Sequence, residues 1–324
     1  MKQLPTFAQL ADGVLEASII GSFTKIGISI RERLHDFDEP AEDLTGQTAV
    51  VTGATSGIGN ATAAGLMRLG ADVHVTSRSK KRADAAAFEL METNGGGSAI
   101  GHELDTGEFE SCIAFVNELG QVEGGIDILI HNAGALSDEY RTNGRGTELT
   151  LASHLVGPYL LTRDLRPYLN TGARVLWMSS GGMYTQKLDV KTIELSEEKF
   201  RGAIAYAKAK RGQVELVAHL APDWAPDVIM HTVHPGWVDT AGVDAGLPGF
   251  GKVMGPLLRS AEQGADTMVW LAATGGGNVE PGQFWLDRQP RGTSYLPWTS
   301  TSDEERQRLV DWLELKTLPA SAES

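Results

Sequence analysis

Tyr206 and Lys210 are the residues whose types and spacing best suit proton transfer. They lie four residues apart in a stretch with helical character, so their side chains share one helix face, about 5–6 Å apart at Cβ. A phenol with a pKa of about 10 is a poor proton carrier at neutral pH. Because a nearby ammonium favours the phenolate, we expect Lys210 to lower the pKa of Tyr206 toward the working range.

A glycine-rich turn upstream indicates a binding site for a diphosphate. Gly53–Gly59 follows the apolar run Thr48–Thr52 directly and precedes a helical stretch at Asn60–Leu69. Its glycines permit a tight turn and the close approach of backbone N–H groups to a diphosphate at the positive end of the helix. A plain strand-to-helix turn is the alternative. The second apolar run, Ala71–Thr76, favours the dinucleotide site.

Arg78 stands where the adenosine ribose of such a ligand is expected, about 20 residues after the glycines. An acidic residue there would bond the 2′-hydroxyl of NAD. A guanidinium instead binds a phosphate through two parallel hydrogen bonds. Lys80, Lys81 and Arg82 follow at once, and cations at a helix N-terminus oppose the helix dipole unless an anion binds there. The cluster therefore predicts NADP(H) over NAD(H).

The surrounding pattern is that of strands alternating with helices. Further apolar runs predict strands at 126–130, 174–178, 228–233 and 283–286. Strands separated by helices pair in parallel through crossover connections. We therefore expect an α/β fold that places the glycine turn and the tyrosine at one edge of a parallel sheet.

The composition excludes several classes of function. The chain has 324 residues, with 28 Lys+Arg against 42 Asp+Glu and a net charge of −14, which argues against nucleic-acid binding. Cys112 is the single cysteine, so no disulfide or multi-cysteine metal site forms within the chain. The histidines show no metal-ligand spacing, and we predict no metal. No stretch is apolar for the 18 or so residues that a membrane span needs, and we expect a cytoplasmic protein.

Taken in order, these motifs resemble the short-chain dehydrogenase/reductase family in its single-domain form, over about residues 46–287. The similarity is carried by Thr52-Gly53, Gly57-Ile58-Gly59, Asn132-Ala133-Gly134, Ser179-Ser180, Tyr206 with Lys210, and His234-Pro235-Gly236 with Thr240. Within the family, Ser179–Met183, His234–Trp237 and Arg259–Met268 most resemble the subgroup called dehydrogenase/reductase member 12.

The resemblance implies an α/β, Rossmann-type fold with a doubly wound, mostly parallel seven-stranded sheet, helices on both faces and an N-terminal helical extension. It implies a single domain over residues 46–318, with a substrate lid at about 240–260 and a tail at 319–324. Residues 1–45 would be the amphipathic extension and an acidic linker.

The resemblance also implies roles for individual residues. Tyr206 would be the general acid/base, and Lys210 would hold the nicotinamide ribose and tune Tyr206. Ser180 would hydrogen-bond the substrate carbonyl, with Ser179 as the alternative. The implied cofactor-binding residues are Gly53, Thr55, Ser56, Gly57, Ile58, Gly59, Arg78, Asp105, Asn132, Ala133, Gly134, Tyr206, Lys210, Pro235, Gly236, Val238 and Thr240.

His154 departs from the family pattern. The family usually has an asparagine three residues before the glycine that is Gly157 here, where it supports a water leading from the lysine to solvent. A neutral imidazole provides one donor and one acceptor and could keep such a relay as a further catalytic residue. An imidazole also charges near pH 6.5, and we expect His154 to set an acidic limb of the pH profile. The alternative is that the proton relay is lost and that His154 only fills space in the interface between helices.

The N-terminal extension carries an apolar stripe of helical spacing, formed by Leu15, Ile19, Phe23, Ile26, Ile30, Leu34 and Phe37. One interpretation is a helix that packs this stripe on its own domain or on a partner subunit, which leaves a homo-oligomer open. The other is a helix at a membrane interface, which would make the protein membrane-peripheral.

The predicted lid contains Leu247, Phe250, Val253, Met254 and Leu257, which favour a small lipophilic carbonyl/alcohol substrate over a sugar. The leading function is then an NADP(H)-dependent oxidoreductase acting on CH–OH donors, such as a carbonyl reductase. One rival is a cofactor-binding sensor or scaffold with little turnover, which the His154 departure allows. Another is a nucleotide-sugar epimerase, which the spacing of Gly53, Gly57 and Gly59 disfavours.

Overall fold

The computed structural model describes residues 7–16, 18–35, 37, 38, 40, 42–239, 255–277, 279–295 and 297–319. Its strands are β1 Thr48–Val51, β2 Asp72–Ser77, β3 Ala99–Glu103, β4 Ile126–His131, β5 Leu169–Met178, β6 Val228–Val233, β7 Phe284–Leu286 and β8 Gln289–Arg291. Its helices are α1 Phe7–Glu16, α2 Ile19–Phe23, α3 Lys25–His35, α4 Gly57–Arg68, α5 Lys80–Asn94, α6 Phe109–Leu119, α7 Leu149–Leu151, α8 Gly157–Leu165, α9 Gly202–Trp224, α10 Ala261–Thr274 and α11 Asp303–Lys316. A π-helical turn, Ala152–Val156, joins α7 to α8.

The strands form one sheet in the order β3-β2-β1-β4-β5-β6-β7-β8. All neighbours up to β7 pair in parallel, and only β7 and β8 are antiparallel. The order in which strands are added to the sheet reverses between β1 and β4, and doubly wound sheets bind ligands at the carboxyl ends of the strands beside such a switch point. The expected Rossmann-type fold is confirmed, with eight strands among the described residues rather than the expected seven.

Alternation along the strands builds a core on each face of the sheet. Val50 and Leu129 point into one cluster and Val51 and Ile130 into the other, and all four are fully buried. Residues of α6, α8, α9 and α11 fill the first cluster, while residues of α4, α5 and α10 fill the second. These two layers explain why the strands read as continuous apolar runs.

The N-terminal stripe does not form one helix, and this part of the prediction is wrong. Three helices replace it, because the chain is extended at Ser18 and again at Thr24. On α3 the apolar residues of the stripe face outward, with Ile26 44% and Ile30 39% exposed, whereas Ile28 and Arg31 are fully buried. The ion pairs of Arg31 with Asp12 and Asp287, rather than the apolar spacing, therefore determine which face of α3 is buried.

No helix among these described residues is long and apolar enough to cross a membrane.

Candidate active site

The glycine turn is tied to the end of β4 by a lattice of hydrogen bonds. The Thr52 hydroxyl accepts the backbone N–H groups of Asn132 and Ala133, both at 3.0 Å. In return, the Asn132 side chain donates to the carbonyls of Thr52 at 3.0 Å and Gly53 at 3.3 Å. Thr52 belongs to the motif but received no role from the sequence, and its function here is to hold this turn open.

At two positions of this turn only glycine fits, because neighbouring atoms approach the backbone too closely for a side chain. Gly53 has φ +67°, and a Cβ there would lie 2.8 Å from the Cα of Ala133. At Gly59 a Cβ would lie 2.4 Å from Asn132 Nδ2. Helix α4 then begins at Gly57, and the Ser56 hydroxyl makes no capping hydrogen bond to it. The turn thus leaves a concave space that a side chain on either glycine would fill, next to the start of a helix without a side-chain cap. Such a space fits the diphosphate of a dinucleotide.

The predicted adenosine end lies at the carboxyl ends of β2 and β3. These strands are in register at Ser77 and Glu103, so Arg78 and Asp105 follow neighbouring strand ends. The Asp105 carboxylate accepts the backbone N–H of Gly107 at 2.9 Å. Arg78 is exposed and forms no ion pair with any residue that the structure describes, whereas the neighbouring Lys80 pairs with Asp84. Within the cluster, Arg78 is the cation that directly follows the end of β2.

Helix α9 and the end of β5 bring the predicted catalytic residues together. The Ser180 side chain lies beside Tyr206 and lowers the pKa of its phenol, and its Oγ accepts the backbone N–H of Gly182 at 3.2 Å. Ser179 is different, because its hydroxyl is buried and donates to the backbone carbonyl of Lys210 at 3.1 Å. The geometry therefore favours Ser180 over Ser179 as the serine that meets a substrate.

The Lys210 side chain is buried under Tyr206. Its Nζ donates to the Met178 carbonyl at 2.6 Å and lies 5.3 Å from the centroid of the Tyr206 ring. Burial lowers the pKa of Lys210 to about 7. Burial also raises the pKa of Tyr206, although the neighbouring Ser180 side chain opposes this. The expected lowering of the Tyr206 pKa by Lys210 is therefore wrong, because burial of the phenol raises its pKa more than its polar surroundings lower it.

His154 lies in the π-helical turn against the same tyrosine. Its ring is edge-on to Tyr206, with centroids 5.1 Å apart, and presses on Gly134, where a Cβ would lie 1.9 Å from His154 Cε1. Its Nε2 donates to the Ala135 carbonyl at 3.0 Å, which leaves Nδ1 as an acceptor without a partner among the described residues. Burial and Lys210 lower the pKa of His154 to about 3. The expected titration near pH 6.5 is wrong, because the ring is held neutral.

Gln213 is a buried neighbour that the sequence reasoning missed. Its Nε2 donates to the backbone carbonyl of His154 at 2.6 Å, and it lies one turn beyond Lys210 on α9. The sequence did contain a signal for Gln213. Tyr206, Lys210 and Gln213 are spaced by four and then three residues, which places them on one face of a helix.

The turn after β6 is held by Arg259. Gly236 has φ +79°, and a Cβ there would lie 2.2 Å from Arg259 Nε. The guanidinium donates to the Pro235 carbonyl at 3.2 Å. Val238 packs on Gly264 of α10, close to Ile58 of the glycine turn. Thr240 and the lid residues Leu247, Phe250, Val253 and Met254 lie outside the described residues.

Several of these groups lie along the carboxyl ends of the parallel strands. They are the glycine turn, Arg78, Asp105, Ser180 and the turn after β6. No cluster of three or more metal-ligating side chains occurs in the described part of the chain. The arrangement suits a dinucleotide laid across the edge, with a tyrosine and a serine at its reactive end.

Comparison with known proteins agrees with this geometry. Residues 47–246 match the family model described as short chain dehydrogenase. Dehydrogenase/reductase SDR family member 12 of Bos taurus is 36% identical over 300 residues, which cover 90% of this chain and 93% of that protein. A candidate daunorubicin C-13 ketoreductase, DnrU of a Streptomyces species, is 32% identical over 252 residues, covering 77% of this chain and 86% of its own.

A solved structure shares the fold. A candidate NAD(P)-dependent gluconate 5-dehydrogenase from Beutenbergia cavernae, with NADP bound at low occupancy, is 26% identical and superposes with a TM-score of 0.59. The match covers 75% of this chain and 95% of that chain. The chain therefore belongs to the short-chain dehydrogenase/reductase family and is an NAD(P)-dependent oxidoreductase of that type.

Proposed function

We propose that the protein is an NADP(H)-dependent oxidoreductase that interconverts a lipophilic carbonyl compound and its alcohol, with Tyr206 as general acid/base. The observation that carries the proposal is that Ser180, whose side chain lowers the pKa of Tyr206, and the buried Lys210, 5.3 Å from the centroid of its ring, both lie beside this phenol. Two hydroxyl groups that meet at one point form a binding site for a single oxygen atom. That oxygen is the one whose charge changes when a carbonyl becomes an alcohol.

The protein's own side chains can supply the proton that this reaction transfers to the substrate oxygen. Bound NADP(H) supplies or accepts the hydride. Ser180 holds the substrate oxygen, and Tyr206 donates its phenolic proton as charge develops there. Lys210, with a pKa of about 7, changes protonation state easily at neutral pH and lies beside the ring that loses the proton. The neutral His154, edge-on to that ring, keeps Nδ1 as an acceptor without a partner among the described residues.

Cofactor choice rests on Arg78. The glycine turn would hold the diphosphate, Lys210 the nicotinamide ribose and Arg78 the 2′-phosphate of NADP. The exposed guanidinium has no ion-pair partner in the described structure and can approach a phosphate without first breaking a salt bridge. A phosphorylated ligand would also explain why the start of α5, in a chain of net charge −14, carries cations.

Fluorescence titration with NADPH and NADH tests this choice. The Arg78→Gln variant is expected to weaken NADPH binding about 10- to 100-fold, since a charge-assisted hydrogen bond contributes about 1.5–3 kcal/mol. Binding of NADH should change less than about threefold, because it has no 2′-phosphate to lose. The Arg308→Gln variant removes an exposed cation on α11 and is the matched control. Tighter binding of NADH than of NADPH by the unmodified protein would refute the assignment.

The substrate class rests on the apolar side chains near Ser180. Met183 and Phe23 are buried beside the residues that follow it, and the tilted rings of Tyr184 and Tyr295 pack together with centroids 4.8 Å apart. The name of the Streptomyces relative likewise gives a ketone, at C-13 of daunorubicin, as the group that it reduces. A panel of aromatic and aliphatic ketones with NADPH tests this class, and polyhydroxylated sugars serve as the contrasting substrates.

A cofactor-binding sensor with little turnover is the second candidate. The observation that favours it is His154 itself, which stands where the family usually has an asparagine and whose backbone carbonyl accepts from Gln213. The Tyr206→Phe variant decides between the two. An oxidoreductase loses its turnover in this variant and still binds NADPH, whereas a sensor shows no ketone turnover for the mutation to abolish.

A further inference from the structure

The N-terminal extension reaches the turn that follows β6. The backbone N–H of Trp237 donates to the Phe23 carbonyl at 2.7 Å. The Phe23 ring stands edge-on to His234, with centroids 4.4 Å apart, and edge-on to Trp237 at 5.9 Å. The end of α2 is thus bonded through its backbone, and packed through its side chain, against the turn that contains Pro235 and Gly236.

Phe23 also lies against the residue that follows Ser180. A Cβ at Gly181 would lie 2.8 Å from Phe23 Cε2 and 2.8 Å from His234 Nε2. The ring therefore covers the backbone immediately after the serine that we assign to the substrate oxygen. Phe23 is only 7% exposed, so it packs tightly while its edge borders the serine end of the site.

A buried charge network fixes this position. Arg31 of α3 is fully buried and pairs with Asp287 at 2.7 Å and with Asp12 at 2.6 Å. Arg259 donates to the Ser22 carbonyl at 2.9 Å and also pairs with Asp287. With Glu16 and Arg291, the network holds three arginines and three carboxylates, so its charges balance. Such a network holds one geometry strongly, because losing one partner leaves a buried charge uncompensated.

The turn that supplies Asp287 is itself unusual. Asp287 and Arg288 form the two-residue connection between β7 and β8, and both have positive φ, at 51° and 54°. Glycine or asparagine normally occupies such positions. Here the side chains explain the choice, because Asp287 binds Arg31 and Arg259, and Arg288 donates to the Asp38 carbonyl at 2.6 Å. Both residues of this connection therefore contact the N-terminal extension.

We infer that the N-terminal extension forms a wall of the substrate site, and that Phe23 limits the size of the carbonyl substrate accepted beside Ser180. This inference rests on the proposed function, since it names a specificity-determining residue of that site. The buried network then serves to hold the wall, and Ser22–Thr24 position the turn after β6.

The test compares two aryl ketones of different size, acetophenone and benzophenone, with NADPH. Phe23→Ala is expected to raise the ratio of kcat/KM for benzophenone over acetophenone about tenfold or more, since one methylene in an apolar pocket already changes specificity about 10- to 200-fold. Phe23→Leu should give a smaller rise and Phe23→Trp a fall. Ile26→Ala, on the outward face of α3, is the control and should keep the ratio of the unmodified protein.

The ratio does not depend on how much of a preparation is folded, so a general loss of structure cannot imitate the result. If Phe23→Ala does not fold, the opposite shifts of Phe23→Leu and Phe23→Trp carry the test. A ratio within about twofold of the unmodified protein in all three variants would overturn the inference.

The proposed function fails separately, if the unmodified protein reduces neither ketone. The wall is then tested by calorimetric binding of both ketones to the NADP⁺ complex of the same proteins. The same shifts in the ratio of dissociation constants support the wall, and unchanged ratios refute it.

Discussion

Replacing Lys210 with methionine is expected to stabilise the cofactor-free protein at mildly acidic pH. Lys210 is buried and donates to the Met178 carbonyl, and no carboxylate compensates its charge among the causes of its pKa shift. A lysine held in this way costs stability, because the folded state binds its proton less tightly than the unfolded chain does. Methionine has a similar length and no charge to bury, so it removes that cost.

The magnitude and sign follow from the pKa of Lys210, which burial lowers from 10.5 in the unfolded chain to about 7 in the folded protein. Below the folded value both states hold the proton, and the whole penalty is present. As pH rises from about 7 to 10.5 the folded state loses its proton first, so stability is regained. At about 1.36 kcal/mol per pH unit, the gain between pH 6 and pH 9 is about 3 kcal/mol.

Urea unfolding near pH 6 and near pH 9 measures this gain. The free energy of unfolding of the unmodified protein should rise relative to that of Lys210→Met by about 3 kcal/mol over this interval. Taking the difference between the two proteins cancels the other groups that titrate. Lys199→Met, at an exposed position, is the control and should show no such change. If the difference between the unmodified protein and Lys210→Met stays constant within about 0.5 kcal/mol, Lys210 is not desolvated and the reasoning fails.

Three further predictions concern buried groups. Asp287→Asn should lower the free energy of unfolding by about 3–5 kcal/mol in chemical denaturation, whereas Asp303→Asn, at a side chain 87% exposed, should change it by less than about 1 kcal/mol. His154→Asn should leave the acidic limb of the pH–rate profile between about pH 5 and 8 unmoved, because the pKa of His154 is lowered to about 3, and a shifted limb would contradict this. Cys112, whose pKa burial raises to about 12, should react with a thiol reagent only after unfolding, and rapid labelling of the native protein would refute its burial.

Apolar runs predicted six of the strands, and the two others show what such a pattern cannot reveal. Strand β3 contains Gly101 and two polar residues, because it lies at the edge of the sheet and α5 approaches it closely there. Strand β8, Gln289–Arg291, has no apolar residue and a proline at its centre. It exists because the hairpin at Asp287 pairs it with β7, a tertiary cause that local composition does not record.

The residues that we propose for the reactive end could be singled out from the sequence because they follow local rules. Tyr206 and Lys210 share a helix face, and the glycine turn lies between a strand and a helix. Their pKa values were not predictable, since burial decides them and burial depends on the packing of the whole chain. The contacts of Phe23 and Arg259 near the site were not foreseen for a similar reason: more than 230 residues separate Ser22 from the guanidinium that binds its carbonyl.

Exposure and pairing distinguish the two uses that this acidic chain makes of its arginines. Arg31 and Arg259 are buried, and carboxylates on other elements neutralise them, so a salt solution cannot screen them and they act as fixed connectors. Arg78 is exposed without an ion-pair partner in the described residues, so its charge is available to a ligand. A sequence count treats the three alike. The structure separates them, since a cation already paired in the core adds little to the field that an approaching phosphate meets.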